Sequence, residues 1–403
     1  MKYDQITLQF SGKNVRTFKE ISITKLTRNV AIVDFLKADR SSIEVYPEGS
    51  IDITQEVLLS PSTPWGLPVG VFKKSANSRT IPTEPVVAIN LMNVELINVI
   101  GAKLLVYDNE FIIKNYISLE NHLTAMRWLE KKWSKGNFSI ARRKSINTKR
   151  IGEYKSGIDF STDAGDTNVY HWVTRVMPKI KFVKSLPKEM PIIFSYQPNR
   201  FQLDCLKLFE VQNPILVVDN DNVSKFQSLV LIQGPWAGAN PPQINWLIQE
   251  CIERLPIISE NHQRQGIAKK LFIYREDKWA RKLINREAVK AFLIEQGYEL
   301  NSVNDIGFEE TAELFSGADE IVFEHGAAGI WLLFTKPGVK ILEILPERNH
   351  VTSKEPANFY FWLAFIMKRK FNSILCSNRT LSPLAEYEVD LELLANELRR
   401  LNS

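Results

Sequence analysis

Three stretches of this chain set groups capable of phosphate or proton chemistry beside turns that could present them. The first is Glu320-Ile321-Val322-Phe323-Glu324-His325-Gly326-Ala327-Ala328-Gly329, running on into Ile330-Trp331-Leu332-Leu333-Phe334. A strand pattern ends in small residues and gives way to an apolar helix pattern. Small residues there let a ligand approach the backbone, and a helix N-terminus adds free N–H groups and about half a unit of positive charge. That is a seat for phosphate at His325, Gly326 and Ala327. Close helix–sheet packing would call for the same small residues. The second stretch is Tyr274-Arg275-Glu276-Asp277-Lys278-Trp279-Ala280-Arg281-Lys282. Arg275 leaves the end of the strand pattern Lys270 to Tyr274, where open α/β sheets hold ligands. Its guanidinium can grip a diphosphate with two parallel bonds; a salt-bridged surface turn is the plainer reading. The third is Asp163-Ala164-Gly165-Asp166-Thr167-Asn168-Val169-Tyr170-His171-Trp172, ahead of a helix that ends near Met177-Pro178. His171 has the ordinary histidine range that suits a general base, with Asp163 and Asp166 as alternative bases or as groups that orient the imidazole. A hydrogen-bonded structural histidine at a helix start is the competing reading.

Metal chemistry has little to draw on. Cys205, Cys251 and Cys376 are far apart and odd in number, so neither a disulfide framework nor a paired-cysteine knuckle is expected. No His/Cys cluster has metal-ligand spacing. Asp219-Asn220-Asp221 has the D-x-D form of metal-dependent transferases, but it follows a strand in the first α/β series and reads as a strand-ending turn. The expectation is a site with no metal and no cofactor, in a reducing cytoplasm.

The elements that must position these residues fall into two alternating series. Residues 1 to about 120 read as short strands and turns, including Ile21 to Thr24, Ser42 to Tyr46, and a hairpin from Leu104 to Ile113 turning at Asp108-Asn109. A charged helix pattern runs from Leu119 to Trp133. Arg142-Arg143-Lys144, with Lys149 and Arg150, is the densest basic stretch: a solvated linker, or a contact for an anionic acceptor or membrane surface. Beyond Gly157, Ile192 to Phe194, Ile215 to Val218 and Leu229 to Ile232 are buried strand patterns, with a helix from Asn199 to Glu210. Pro241 to Glu253 reads as a helix, followed by a hinge from Pro256 to Gly266. The second series has strands at Lys270 to Tyr274, Glu320 to Phe323 and Val339 to Ile344. Its helices run from Asn285 to Gln296, stopped by Gly297, and from Glu309 to Ser316. Alternation of this kind implies parallel sheets with helical crossovers. The predicted organisation is α/β, with two Rossmann-like lobes and a cleft between them. It comprises a β-rich N-terminal region with a helix and basic linker (1–150), a first lobe (151–260), a second lobe (261–350), and C-terminal helices returning toward the first lobe (351–403).

Composition agrees with a globular chain: 403 residues, 44% hydrophobic and 24% charged, with a net charge of only +5. That balance gives no reason to expect a nucleic-acid partner. Met1 to Gln5 lacks the apolar core of a signal peptide. The longest apolar run, Phe359 to Met367, is far short of the ~20 residues a spanning helix needs. It reads as a buried helix; with Lys368-Arg369-Lys370 behind it, an interfacial anchor at the inner face of a membrane is the alternative.

The motifs share an order. Asn168-x-x-His171-Trp172, then Tyr274-Arg275-x5-Arg281-x3-Asn285, His325-Gly326-Ala327, Phe334-x-x-Pro337-Gly338 and Glu343-Ile344-x-Pro346 together resemble glycosyltransferase family 61 over roughly residues 160 to 350. The resemblance implies an inverting, GT-B-type sugar transferase of bacterial capsule or other surface polysaccharide synthesis. Its partners would be a nucleotide-sugar donor and a glycan acceptor, commonly lipid-linked. It implies that Arg275 and Arg281 hold the donor diphosphate, that His325, Gly326 and Ala327 face it, that Glu343 meets ribose hydroxyls, and that His171 lies on the acceptor side. Three positions depart from the family pattern. Arg286 stands where an acid is common, Glu324 where a small residue or proline is common, and Ile330-Trp331 where polar residues are usual. The last departure keeps a non-catalytic nucleotide-sugar- or glycan-binding subunit in view. A GT-B-fold epimerase, or a hydrolase acting on the donor alone, is the same-fold rival.

Overall fold

A computed structural model describes residues 5–9, 15–22, 28–29, 36–46, 49–52, 80–83, 86–99, 102–107, 111–114, 147–160, 168–194, 196–218, 222–233, 241–261, 269–276, 282–304, 306–346, 359–376 and 386–402. The chain divides into two compact units. One comprises Met1–Glu48 and Glu84–Asn240, the other Gly49–Thr83 and Pro241–Ser403.

The strands, in chain order, begin with β1 (Gln5–Gln9), β2 (Val15–Ser22), β3 (Arg28–Asn29), β4 (Ser41–Tyr46), and the hairpin β5 (Gly49–Asp52) and β6 (Thr80–Thr83). They continue with β7 (Val86–Val99), β8 (Ala102–Tyr107), β9 (Phe111–Lys114), β10 (Asn147–Asp159), β11 (Ile192–Phe194), β12 (Ile215–Val217) and β13 (Asn222–Gln233). The first unit holds an eleven-stranded sheet with the path β1-β2-β9-β8-β7-β13-β10-β11-β12, to which β4 adds on β7 and β3 on β4. Its parallel part, β12-β11-β10-β13, has the order of a dinucleotide-fold half: third, second, first, fourth. Ile192, Ile193 and Phe194 are all buried, as strands covered on both faces must be. α1 (Arg200–Leu208) crosses between β11 and β12. Asn199 caps it, with Gln202 reciprocating at 2.9 Å in each direction.

The N-terminal strands are not a separate preamble to this lobe. β7 runs antiparallel along β13 from Ile97 opposite Val223 to Val87 opposite Gln233. Leu91, Val94 and Leu96 share one core with Phe226, Leu229 and Leu231. Two long apolar strands gain a full ladder and a shared core by pairing, and β13 is no longer left as an edge. The expected hairpin at 104–113 is present as antiparallel β8 and β9; its turn and the helix expected at 119–133 lie outside the described residues.

The C-terminal segment of the second unit opens with α2 (Pro241–Asn261), which carries Pro256 inside it. The hinge expected from Pro256 therefore does not begin there. A proline late in a helix removes one ladder bond and need not end the helix when its face is packed. The sheet strands are β14 (Lys270–Ile273), β16 (Glu299–Asn301), β17 (Glu320–Glu324), β18 (Lys340–Pro346) and β19 (Lys370–Cys376). β15 (Lys282–Leu283) pairs with β20 (Glu386–Tyr387) apart from them. The order is β16-β14-β17-β18-β19, parallel throughout. The chain goes from β14 outward to β16, then back past β14 to β17. That reversal opens a crevice at the C-terminal ends of β14 and β17. Helices α3 (Arg286–Glu295), α4 (Phe308–Gly317), α5 (Phe359–Ile366) and α6 (Leu391–Asn402) serve this unit. Leu394, Leu398 and Leu401 of α6 lie in one cluster with Phe272, Val322 and Leu342 of the sheet. The C-terminal helices, expected to return toward the first lobe, thus find their apolar partner in the second unit.

After β17 the expected apolar helix forms, as a 3-10 helix, Ala327–Phe334. In a 3-10 helix residues three apart eclipse one another. Trp331 and Phe334 accordingly both meet Phe308, with ring centroids 5.0 and 5.6 Å away.

Candidate functional site

Arg275 and His325 leave the two strands that flank the crevice, and the structure brings them together. The Arg275 guanidinium donates from Nη1 to the His325 carbonyl at 3.0 Å. Gly326 makes that approach possible. A Cβ there would stand 2.9 Å from Arg275 Nη1 and 3.4 Å from its Cδ. The Gly326 φ of 171° is ordinary extended backbone, so space alone requires the glycine. Tyr360 of α5 anchors the turn by donating to the Gly326 carbonyl at 2.5 Å. Gly329 has a packing reason instead: its Cβ would sit 2.6 Å from the Tyr360 ring and 2.8 Å from that of Phe323. The small residues of this motif thus serve both readings at once, one for the arginine and one for the core. Ala327 and Ala328 are half-buried beside them.

The His325 ring is fixed from behind. Its Nδ1 lies 2.6 Å from Glu343 Oε1. Ser373 Oγ donates to the other carboxylate oxygen at 3.3 Å. Glu343 is 0% exposed. The carboxylate expected to face ribose hydroxyls is therefore turned inward, with both oxygens engaged. β18 runs parallel beside β17 and places Glu343 opposite Phe323, two residues before His325.

Two of the three departures from the family pattern turn out to be partners. Arg286 donates from Nε to Glu324 Oε1 at 2.9 Å and from Nη2 to Oε2 at 3.0 Å, a two-pronged pair. Tyr387 adds a third bond to Glu324 Oε2 at 3.2 Å. Burial and the Glu324 charge raise the Tyr387 hydroxyl well above its usual value, so it stays a donor. Glu324 is 0% exposed and directly precedes His325, so this pair pins the end of β17 to the start of α3. Asn285, the last residue of the arginine motif, is also structural. Its amide donates to the Val389 carbonyl at 2.8 Å and its oxygen accepts from the Val389 N–H at 3.1 Å. The third departure, Ile330-Trp331, lies in the core at 1% and 5% exposure. Arg281 lies outside the described residues.

The first unit holds its own cluster. Asn168 Oδ1 accepts from the Tyr170 N–H at 3.0 Å and from the His171 N–H at 3.4 Å. The Asn-x-x-His spacing is thus an N-cap that starts the helical segment carrying His171. The segment, 169–183, changes pitch along its length. An α turn (Val169–His171) leads into a π-helical stretch (Trp172–Val176), then a 3-10 turn (Met177–Lys179) and another α turn (Ile180–Val183). π-helical insertions of this sort are frequent at functional sites. Trp172 is buried and stacks on Phe194 at 5.6 Å, with Phe160 edge-on at 6.4 Å. Phe160 follows the end of β10 and Phe194 ends β11, while the His171 ring meets Tyr170 edge-on with centroids 5.1 Å apart. His171 itself is half-buried. Burial, and next the nearby Arg175 charge, push its pKa down to about 4, so the imidazole is neutral at neutral pH. Asp163 and Asp166 lie outside the described residues, as do Asp219, Asn220 and Asp221. Among the described residues, no group of three or more His, Cys, Asp or Glu side chains could hold a metal ion.

Arg286, Ser373, Tyr360 and Tyr387 were not singled out by the sequence as site residues. For Arg286 a signal existed: an unexpected base and an unexpected acid flanking the same motif set are complementary charges. Residues 169–342 match the family model described as Glycosyltransferase 61. No curated protein matches the chain.

Proposed function

We propose, from the match of residues 169–342 to the glycosyltransferase 61 family model, that the chain transfers a sugar from a nucleotide-sugar donor to a glycan acceptor with inversion. The observation that carries the donor side is the meeting of Arg275 with the His325-Gly326 turn at the switch point of a parallel sheet. There a guanidinium and a turn at the start of a helix together suit a diphosphate. Arg275 would grip the phosphates, with Arg281 near them, while Gly326 makes room for the Arg275 guanidinium and His325 and Ala327 face the phosphates. No metal is needed for this assignment, because Arg275 offsets the charge of the departing diphosphate.

The acceptor hydroxyl must lose its proton as it attacks the anomeric carbon from the face opposite the leaving group. His171 is our candidate base, with Asp166 and Asp163 as the carboxylates that orient it or replace it. We read the two units as the lobes of a GT-B-type enzyme, the first on the acceptor side and the second on the donor side. The setting would be bacterial capsular or other surface polysaccharide synthesis, in the cytoplasm. Among the described residues no helix is long and apolar enough to cross a membrane. Tyr360, Leu363, Ala364 and Met367 are buried, which favours a core role for the run at 359–367 over an interfacial anchor. The second reading, a non-catalytic nucleotide-sugar- or glycan-binding subunit, rests on Ile330-Trp331, both of which are buried.

Titrating a panel of nucleoside diphosphates into the wild-type chain and Arg275→Ala tests the donor assignment. The variant should bind weaker by about 1.5–3 kcal/mol, the range for charged hydrogen bonds. Equal affinity in the two proteins would sink the assignment.

A further inference from the structure

We propose that Glu343 is a positioning residue for His325, fixing which ring nitrogen meets the donor diphosphate. The proposal rests on the donor reading of the Arg275–His325 turn and deepens it. A carboxylate can only accept, so at 2.6 Å the hydrogen belongs to His325 Nδ1. Nε2 is then the nitrogen presented to a ligand. The arrangement is built across three consecutive strands. Ser373 on β19 is the register partner of Glu343 on β18, and β18 lies beside β17, whose end carries His325. The ring is further bounded by Tyr360, edge-on at 5.8 Å, and its own carbonyl is held by Arg275. Both ends of the residue are thus committed.

A buried carboxylate against Nδ1 also stabilises the imidazolium when Nε2 carries a proton. In the transfer step the acceptor oxygen bonds to the anomeric carbon, and its proton goes to the base. The bond from that carbon to the diphosphate oxygen breaks, and its electron pair stays on that oxygen. Nε2 donates to the diphosphate only when His325 carries a second ring proton, taken from solvent as the anionic donor binds; that Nε2–H then bonds to the diphosphate oxygen as charge appears there, and both ring protons stay on the histidine. Glu343 touches none of the reacting atoms; it acts through His325.

The test uses the full chain with 15N-labelled histidine, the His325 signals being identified by their loss in His325→Gln. Wild type should show the hydrogen on Nδ1, and the Nε2 signal should move when the tightest nucleoside diphosphate of the panel is added. Glu343→Gln preserves size but removes the charge, and its fold is checked by thermal melting. It should lower kcat by about 10–100-fold, the effect typical of partners that orient a functional histidine, while the donor KM changes by less than about threefold. Ser373→Ala should keep the Nδ1 hydrogen and lower kcat less. The proposal is overturned if the nucleotide-free wild type carries its one ring hydrogen on Nε2, or if Glu343→Gln is folded and keeps its kcat. A wild-type chain that binds none of the panel overturns the donor reading itself. In that case the spectra report the Glu343–His325 bond alone, which separates the two failures.

Discussion

At the scale of single residues, environment rather than residue type decides what a candidate can do. Histidine ordinarily titrates near neutrality, which suits a general base. Burial and the Arg175 charge move His171 to about 4. The neutral form, the one able to accept a proton, is then present throughout the neutral range and is lost only as pH falls through about 4. If His171 is the base, the acid limb of kcat/KM should lie near 4, well below an unperturbed histidine. His171→Ala should bind nucleoside diphosphate normally and lose transfer by about 10²–10⁴-fold. An acid limb close to 6.5 would show that another group, or a differently solvated His171, sets the rate. Near-full transfer by His171→Ala, with loss in Asp166→Ala, would make the carboxylate the base. The sign for stability runs the same way. The unfolded chain takes up the His171 proton first, so this residue costs the fold stability as pH drops from 6.5 toward 4 and adds no further loss below that.

At the scale of elements, the two glycines of one turn separate function from folding. Gly326→Ala puts a methyl 2.9 Å from the movable end of Arg275. The arginine can swing aside, so the fold should survive while nucleoside diphosphate binding falls toward the level of Arg275→Ala. Gly329→Ala meets the Tyr360 and Phe323 rings at 2.6 and 2.8 Å, inside a packed core. It should cost about 1–3 kcal/mol of stability, the usual range for overpacking. Denaturant melts and binding titrations on both variants check the contrast; the reverse pattern would reassign the two glycines. Most elements here were legible beforehand. Strands such as Ile192–Phe194 and Glu320–Glu324 are short apolar runs bounded by breakers, and Asn199 and Gly297 mark helix ends by local chemistry. What could not be read locally was contact between distant residues. The Arg286–Glu324 pair spans 38 positions, and Phe308 meets Trp331 and Phe334 together from an earlier helix. The inward turn of Glu343 likewise depends on Ser373, 30 positions away on another strand.

At the scale of the whole molecule, the chemistry-bearing motifs fall on different units. His171 belongs to the first, and Arg275, His325 and Glu343 to the second. The alternation of strands and helices foretold the parallel part of the first sheet and the parallel second sheet, because each βαβ step is local. It did not foretell that β7 would extend the first sheet, since its pairing with β13 joins segments more than a hundred residues apart. Nor did it place α6, whose apolar face fits several sheets until Leu394 and Leu398 are seen against Phe272 and Val322. The division makes a prediction about where a donor is felt. A ligand that binds the folded chain protects the backbone it contacts and stabilises that unit by mass action. Hydrogen exchange with saturating nucleoside diphosphate should therefore slow amides at 270–276 and 324–335 first, at the ends of β14 and β17. The ladder between β7 and β13, and the segment 169–183, should keep their rates unless acceptor is also present. Protection that begins at 169–183 with nucleotide alone would move the donor to the first unit. Arg275 would then have to be reassigned to holding the His325 turn, a role its bond to the His325 carbonyl already permits.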